Sequence, residues 1–436
     1  MSNDDYQIVT INVSQTVGAI PSTLQQTGAF VSTGATTLGP GKTALITQKS
    51  DLTALVNIPI TALAVVSNVL NVTLSTPLPA SYAVGTTLAL TITGAYPAAY
   101  NGTFTATVTS STKLTAPFAQ TVTAATTLGY AQLPGAKELL AMGTTWFAQG
   151  ANLSVYVLEL GAASAVKDSV TALSTYIDAP VLQFYAYLVP RAWEGVPEFI
   201  TLTGNHATNE SLLYFFITVT AGPVNLYAGI KSAITMVQDV AAPDTECSVA
   251  SIMRSYLSAS PSDINKVPPM AFRFLLGVTK YSGSGPAKKQ LTQNFINYVG
   301  TGAEGGISNT LVMNGVSSDG RDMTYWYSVD WIQINSQIAL ANEIINGSNN
   351  PINPLYYEQK GIERLQNRAQ IVFNSGVTFG LVNGNPEVQA VPFRTYIKNN
   401  PNDYEIGRYA GLSAEYTPMR GFTKIVFNIN VTMQLS

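Results

Sequence analysis

From Leu52 to Ala136 the chain carries a single charged residue, Lys113. Val, Thr, Leu and Ala dominate this stretch, and runs such as LALTITG and TFTATVTSSTKLTAPF alternate like strands between Gly, Pro and Asn turns. Residues 55–130 are therefore expected to fold as an inserted all-β domain. The insert interrupts a mixed chain and separates its N-terminal portion from a longer C-terminal one.

Charge is scarce in the whole chain as well. Its 436 residues are 46% hydrophobic and 11% charged, against about 25% charged in an average soluble domain. A free monomer normally keeps itself soluble with charge, so this surface is expected to be covered by partners. Lys+Arg 22 against Asp+Glu 25 leaves a net −3, which gives no basic excess for neutralising phosphates; no nucleic acid partner is expected. One cysteine, Cys247, excludes an intramolecular disulfide and any multi-Cys metal site, and one histidine, His206, excludes multi-His sites. The start, MSNDDYQIVTINV, has no basic lead and no apolar core, so no signal peptide is expected. Leu55 to Val66 is the most apolar run, but it is too short to span a bilayer and contains Asn57 and Pro59. The chain reads as soluble, made in the cytosol and thiol-reduced, with its Asn-x-Ser/Thr sequons incidental.

Both ends alternate. Gln7, Val9, Ile11 and Val13 share one face of an N-terminal strand, and Ile425, Phe427, Ile429 and Val431 share one face of the last segment. Residues 14–37, rich in Gly, Ser, Thr and Gln, read as an arm or linker with little to bury. After the β module, helix and strand alternate. Leu139, Met142, Trp146 and Phe147 mark a helix, LSVYVLEL (153–160) a buried strand, 164–177 a helix, and VLQFYAYLV (181–189) and LLYFFITVT (212–220) further strands. Val249, Ile252, Met253, Tyr256 and Leu257 follow helical spacing over 245–258, with Asp244 as the expected N-cap. Helices are expected over 328–346 and 358–375. The fold class is α/β (α+β) and multidomain: layered sheets with helices, the inserted β module, and extended N- and C-terminal strand arms. The expected division is 1–18 as N-terminal arm, 19–54 with 131–240 as a middle α/β domain, 55–130 as the insert, 241–417 as a core domain, and 418–436 as C-terminal arm.

No motif carries chemistry. Gly300-x-Gly302-x-x-Gly305 has dinucleotide-loop spacing, but GISNTLVMNG comes next and reads as strand or loop, where the fingerprint needs a helix. GPGKT (39–43) resembles half a P-loop, but Thr36 stands where the first glycine is required and Pro40 interrupts the amides. Asp319, Asp322 and Asp330, with Glu304 and Glu343, are the densest acids, which could do glycosidase work or hold a hard cation. Each has a simpler reading: Asp319-Gly320 as a turn beside Arg321, and Asp330 near a helix start where the dipole favours it. His206 lies in a polar loop without a nucleophile motif and reads as a surface residue; Cys247 reads as a packing residue. Tyr325-Trp326-Tyr327 and Tyr356-Tyr357 lack the interleaved Lys/Arg of a stacking platform and read as core or interface. No catalytic residue, metal or cofactor is expected.

YAVGTTLALTITGAYPAAYNGTFTATVTSSTKLTAPF resembles a small β module inserted in many phage structural proteins. NYVGTGAEGGISNT, DGRDMTYWYSVDWIQINSQIALANEIINGSNNPINPLYYEQKGIERLQ and DYEIGRYAGLSAEYTPMRGFTKIVFNINVT resemble tail sheath proteins of contractile-tailed (myovirus-type) bacteriophages, as do FAQGANLSVYVLELG and PVLQFYAYLVP upstream. The resemblance covers most of residues 131–436 and the N-terminal strand; the β insert departs from it. It implies a virion structural protein, assembled in the host cytoplasm, that stacks as hexameric rings around a tail tube and contracts to drive the tube through the host envelope. The implied partners are neighbouring sheath subunits, joined by strand exchange, with the tail tube protein and the baseplate and tail-terminator proteins; no membrane insertion is implied. The inter-subunit contacts would be Val9, Ile11 and Val13 on one arm and Ile425, Phe427, Ile429 and Val431 on the other. Unpaired edges of this kind are a liability in a monomer and a means of strand addition in a polymer. Another tail or baseplate structural protein is the nearest alternative, and an envelope-binding or envelope-degrading tail enzyme a further one.

Overall fold

The computed structural model describes residues 23–150, 153–220, 222, 224–302 and 308–422. They fall into two compact units, a larger one of Leu24–Asp330, Thr378–Asn383 and 418–422, and a smaller one of Trp331–Val377 and Gly384–Thr417.

In the large unit, β1 (Gly28–Ser32) and β2 (Lys42–Ile46) precede six barrel strands: β3 (Ile58–Val66), β4 (Val69–Leu74), β5 (Thr87–Thr93), β6 (Gly102–Ser110), β7 (Lys113–Pro117) and β8 (Tyr130–Gln132). Four more come after the barrel: β9 (Val155–Glu159), β10 (Ala186–Leu188), β11 (Tyr214–Val219) and β12 (Ala233–Val237). A six-stranded sheet runs in the order β12-β11-β10-β1-β9-β2. All its pairings are parallel except β2 with β9.

The sheet's centre corrects the sequence reading of residues 14–37 as a linker. Within that stretch β1 lies between β9 and β10 and is buried along its whole length. Ala29 and Val31 face a core with Leu173, Phe199 and Phe215. Phe30 points the other way, edge-on to Trp146 at 5.6 Å between ring centroids. A strand covered on both faces shows no polar alternation, and GAFVS is too short and too small to stand out as apolar. Gly28 is required there by close approach: a Cβ would lie 2.5 Å from Leu257 Cδ1 and 2.6 Å from Met253 Cε.

Helices cover both faces. α1 (Lys49–Val56) leads into the barrel and α2 (Ala136–Ala148) leads out of it. α3 (Val166–Asp178) and α4 (Pro197–Asn205) contribute Val170, Leu173, Phe199 and Leu202 to the core under one face. α5 (Ser248–Leu257) lies with α2 against the other. Asp244 does not cap α5. Cys247 holds the N-cap position with no side-chain cap bond, and Asp244 is exposed and paired with Lys137 at 2.6 Å. The chain enters α5 through buried Glu246, whose carboxylate accepts from Ser248 Oγ and from the amide and hydroxyl of Thr279. That contact fixes the helix start three residues later than the spacing suggests.

The inserted module is a closed barrel in the order β3-β4-β7-β6-β5-β8. Its strands alternate as the sequence does, with Leu70, Leu90 and Leu114 fully buried inside. Closure removes every sheet edge, which lets a nearly uncharged β module stay unpaired. Entry and exit meet: Gln132 Nε2 donates to Asn57 Oδ1 at 2.7 Å, and Ile58 pairs with Ala131.

One buried carboxylate ties barrel to sheet. Glu159 has no solvent exposure. It accepts hydrogen bonds from Ser32 Oγ, the amides of Gly34, Thr36 and Gly161, and Thr36 Oγ1, at 2.7–3.2 Å. The turn so held offers the Gly34 carbonyl to the buried Tyr82 hydroxyl of the barrel module at 2.7 Å.

The large unit continues with α6 (Gly285–Gln293) and the antiparallel pair β13 (Tyr298–Thr301) and β14 (Thr310–Met313). Gly300 therefore sits in a strand opposite Leu311, and the next element among the described residues is another strand. α7 (Met323–Ser348) begins in this unit and continues into the small one. After α8 (Gln359–Thr378) and β15 (Val382–Asn383), the small unit holds the antiparallel pair β16 (Val388–Ala390) and β17 (Leu412–Ala414), with α9 (Phe393–Asn399) and α10 (Pro401–Glu405) between them. Its rings cluster: Tyr357 lies 5.4–6.3 Å from Phe393, Tyr404 and Tyr409. The described residues thus form a mixed α/β fold with several sheets and one closed barrel.

The packing makes two outcomes testable. Glu159→Ala strands several buried donors and should cost about 3–5 kcal/mol, read by urea unfolding; a loss under about 1 kcal/mol would contradict the role given to this carboxylate. Replacing residues 58–131 with a short Gly/Ser linker should leave the sheet cooperatively folded, because positions 57 and 132 already touch. Circular dichroism and thermal melting of the deletion variant check this.

Candidate functional site: the roots of the two arms

The seven arm residues singled out from the sequence, Val9, Ile11, Val13, Ile425, Phe427, Ile429 and Val431, lie outside the described residues. The structure describes the residues next to them, Leu24–Gln26 at one end and residues 419–422 at the other, called here the roots of the expected arms. Both roots are held by the first turns of α7 and the residue before it.

At the N-terminal root, Gln25 is 2% exposed and its Nε2 donates to the Tyr327 carbonyl at 3.0 Å and toward the Tyr185 hydroxyl at 3.4 Å. Gln26 Nε2 and the Tyr327 hydroxyl both donate to the Ala259 carbonyl, at 3.3 and 3.1 Å. At the C-terminal root, the Gly421 amide donates to Asp322 Oδ2 at 3.2 Å and the Met419 amide to the Leu381 carbonyl at 2.9 Å. The other oxygen of Asp322 accepts from the Thr324 amide at 2.6 Å, satisfying a donor at the helix start. The Thr324 hydroxyl in turn accepts from the Met270 amide at 3.1 Å.

Below these contacts lies a buried ion pair. Lys231 Nζ is 3.2 Å from Asp330 Oδ1, with side-chain exposures of 3% and 0%. Lys231 also donates to the carbonyls of Asn209 and Ser211, at 3.2 and 2.9 Å, so all three ammonium protons have acceptors. The Trp326 ring centroid is 4.5 Å from its nitrogen. Asp330 Oδ2 accepts from the Tyr185 and Tyr214 hydroxyls at 2.8 and 2.7 Å, and Tyr185 shares a further bond of 3.1 Å with Tyr256. Burial pushes the Asp330 carboxyl up, while Lys231 and the two hydroxyls pull it down. Burial raises the Tyr185 and Tyr214 phenols well above their ordinary value, and the Asp330 charge adds to the shift, so both stay protonated donors.

The sequence reading of Asp330 as a residue at a helix start is corrected here. Asp330 lies in the third turn of α7, and the Lys231 ammonium and two phenols, not the helix dipole, support it. The signal missed was Lys231, a lone lysine before the apolar run AITMV, which nothing in the sequence connects to position 330.

The other acids disperse. Asp319 accepts from Trp326 Nε1 at 3.0 Å and lies 3.6 Å from Arg321; Glu343 pairs with Arg364 at 2.6 Å within the small unit; Glu304 lies outside the described residues. His206 comes directly after α4 and is half-buried rather than a surface residue, with burial pushing its imidazole down. Cys247 is buried and its thiol is pushed up to about 11 by burial. Among the described residues no helix is long and apolar enough to cross a membrane.

No family model and no curated protein matches the sequence. Among solved structures, a chain of the anti-feeding prophage (AFP) baseplate, from its 6-fold symmetrised cryo-EM structure, matches with a TM-score of 0.57 at 13% identity, over 99% of this chain and 100% of that one. The two chains share a fold. A chain of the AFP baseplate in its contracted state matches with a TM-score of 0.49 at 10% identity, over 99% of each chain. The sheath tail protein of Listeria innocua matches with a TM-score of 0.47 at 11% identity, over 90% of this chain and 94% of that one.

The ion pair gives a double-mutant test. Lys231→Met or Asp330→Asn alone leaves a buried partner without its counterpart and should cost about 3–5 kcal/mol. The double variant Lys231→Met/Asp330→Leu should recover most of that loss in urea unfolding, because neither buried charge remains.

Proposed function

We propose that this chain is the subunit of a contractile tail sheath, polymerising as stacked rings around a tail tube through strands donated by its arms. The single observation that carries this is the likeness to the AFP baseplate chain over the whole length of both chains. The arm roots support the reading. Each is pinned to a well-packed core by named hydrogen bonds, which is what a tether under load requires. The two-stranded pair β16–β17 is a short ladder of the kind that strand addition extends. Repeated head-to-tail contacts of this type build open helical arrays.

The chain acts, on this reading, without enzymatic activity, nucleotide or metal. The work comes from the difference between two packings of many identical subunits, with the extended array kinetically trapped. A baseplate component is the second reading, favoured because the structural neighbour with the TM-score of 0.57 is itself a chain of a baseplate assembly.

Electron microscopy of the purified chain separates the two: a sheath subunit should give long tubes, a baseplate component discrete rings. Deleting residues 1–14 or 422–436 should leave a soluble, cooperatively folded monomer that forms no tubes. Tubes from either truncation would refute the role given to the arms. Intact tails freed of nucleotide and treated with chelator should still contract on mild acid or urea; a requirement for added ATP or a divalent ion would refute a spring without chemistry.

A further inference from the structure

Three large apolar side chains in the large unit are exposed along residues 272–276: Phe272, in a left-handed turn at the head of the segment, at 45%, Phe274 at 60% and Leu276 at 57%. The segment is a third, antiparallel partner of the β13–β14 pair. The Phe272 amide donates to the Val312 carbonyl at 2.8 Å, Phe274 bridges Leu311, and the Leu275 amide donates to the Thr310 carbonyl at 2.9 Å. Its far end is fixed by Gln149, whose side-chain amide accepts from the Leu276 amide at 2.8 Å and donates to the Leu276 carbonyl at 2.5 Å. Phe274 and Leu276, two residues apart on a strand, project to the same side. In a chain so poor in charge, a rigid strip of this kind is an association surface.

Its surroundings narrow the choice of occupant. The described chain ends beside the head of the strip. A Cβ on Gly421 would lie 2.5 Å from Pro269 Cβ, and Gly421 with Arg420, Phe295, Asn314 and Asp322 lines a cavity of about 230 Å³. Phe422, the next residue, is 78% exposed. Pro269 is only a few positions before Phe272, and residues 423–436, which follow Phe422 in the sequence, carry Ile425, Phe427, Ile429 and Val431 at strand spacing. In strand form Ile425 to Val431 would span about 20 Å, enough to cover the strip from Phe272 to Leu276 at about 3.3 Å per residue.

We propose that in the unassembled subunit residues 423–436 of the same chain dock on the strip formed by Phe272, Phe274 and Leu276, masking the C-terminal arm until a neighbouring subunit displaces it. The inference rests on the strand-donating role proposed for the arms and adds a resting place for one of them. Docking within the chain needs no encounter, so it competes well at low subunit concentration, and it keeps both apolar surfaces out of water before assembly. At the growing end of an array the neighbour's ladder would take the arm over, and the strip would be released.

The test uses the full chain with p-benzoylphenylalanine in place of Phe274, irradiated as a dilute monomer and mapped by mass spectrometry. An intrachain cross-link to residues 425–431, with a yield independent of protein concentration, is expected. Cross-links joining two chains would make the occupant a second copy and overturn the proposal, and so would cross-links elsewhere or none. A second variant, Phe274→Ser/Leu276→Ser, changes only exposed side chains and should keep the wild-type melting midpoint. If masking holds back about nine-tenths of the arms, it should shorten the polymerisation lag about tenfold; an unchanged lag would also overturn the proposal. Should the wild-type chain form no tubes under any condition, the sheath reading fails, while the monomer cross-link still decides where the arm rests.

Discussion

The Asp330 carboxylate has no contact with water, and much of the large unit's geometry is organised by how its charge is met. Lys231, just before β12, supplies the counter-charge, and Tyr185 and Tyr214, at β10 and β11, supply two phenolic donors. Three neighbouring strands are thereby keyed to one turn of α7. A buried charge is expensive unless every lone pair and proton is used, and here the ammonium's three protons all find acceptors. Because that demand admits few arrangements, the pair specifies how the start of α7 sits on the sheet more than it adds stability.

The same turns of α7 hold both arm roots. Gln25 reaches the Tyr327 carbonyl, and Asp322 accepts the Gly421 amide. The first and the last described residues are therefore both held at the start of one helix, which Asp330 ties to the centre of the sheet.

The barrel obeys a different constraint. It contains almost no charge, so it cannot leave open edges, and closure meets that requirement. It is attached through the Asn57–Gln132 contact at its neck and through Tyr82 to the turn that Glu159 holds. Its independence in sequence composition thus matches its independence as a closed body.

Local pattern determined much of this chain. The β insert, the helices at 136–148, 166–178, 248–257, 323–348 and 359–378, and the strands at 155–159 and 214–219 could be read because their signals are periodic and each is set by its own residues. Matters settled by distant partners could not be read in this way. GAFVS is the middle strand of the main sheet only because helices cover both its faces, and that cover comes from residues more than a hundred positions away. Asp244 loses the cap of α5 to the pull of Glu246 on Thr279. Asp330 is buried and not merely helical because Lys231 stands 3.2 Å away, a pairing with no signature in spacing. The order of residues determines which faces are apolar; only the tertiary structure decides which buried charge meets which, because the energy of that meeting depends on a distance no linear pattern encodes.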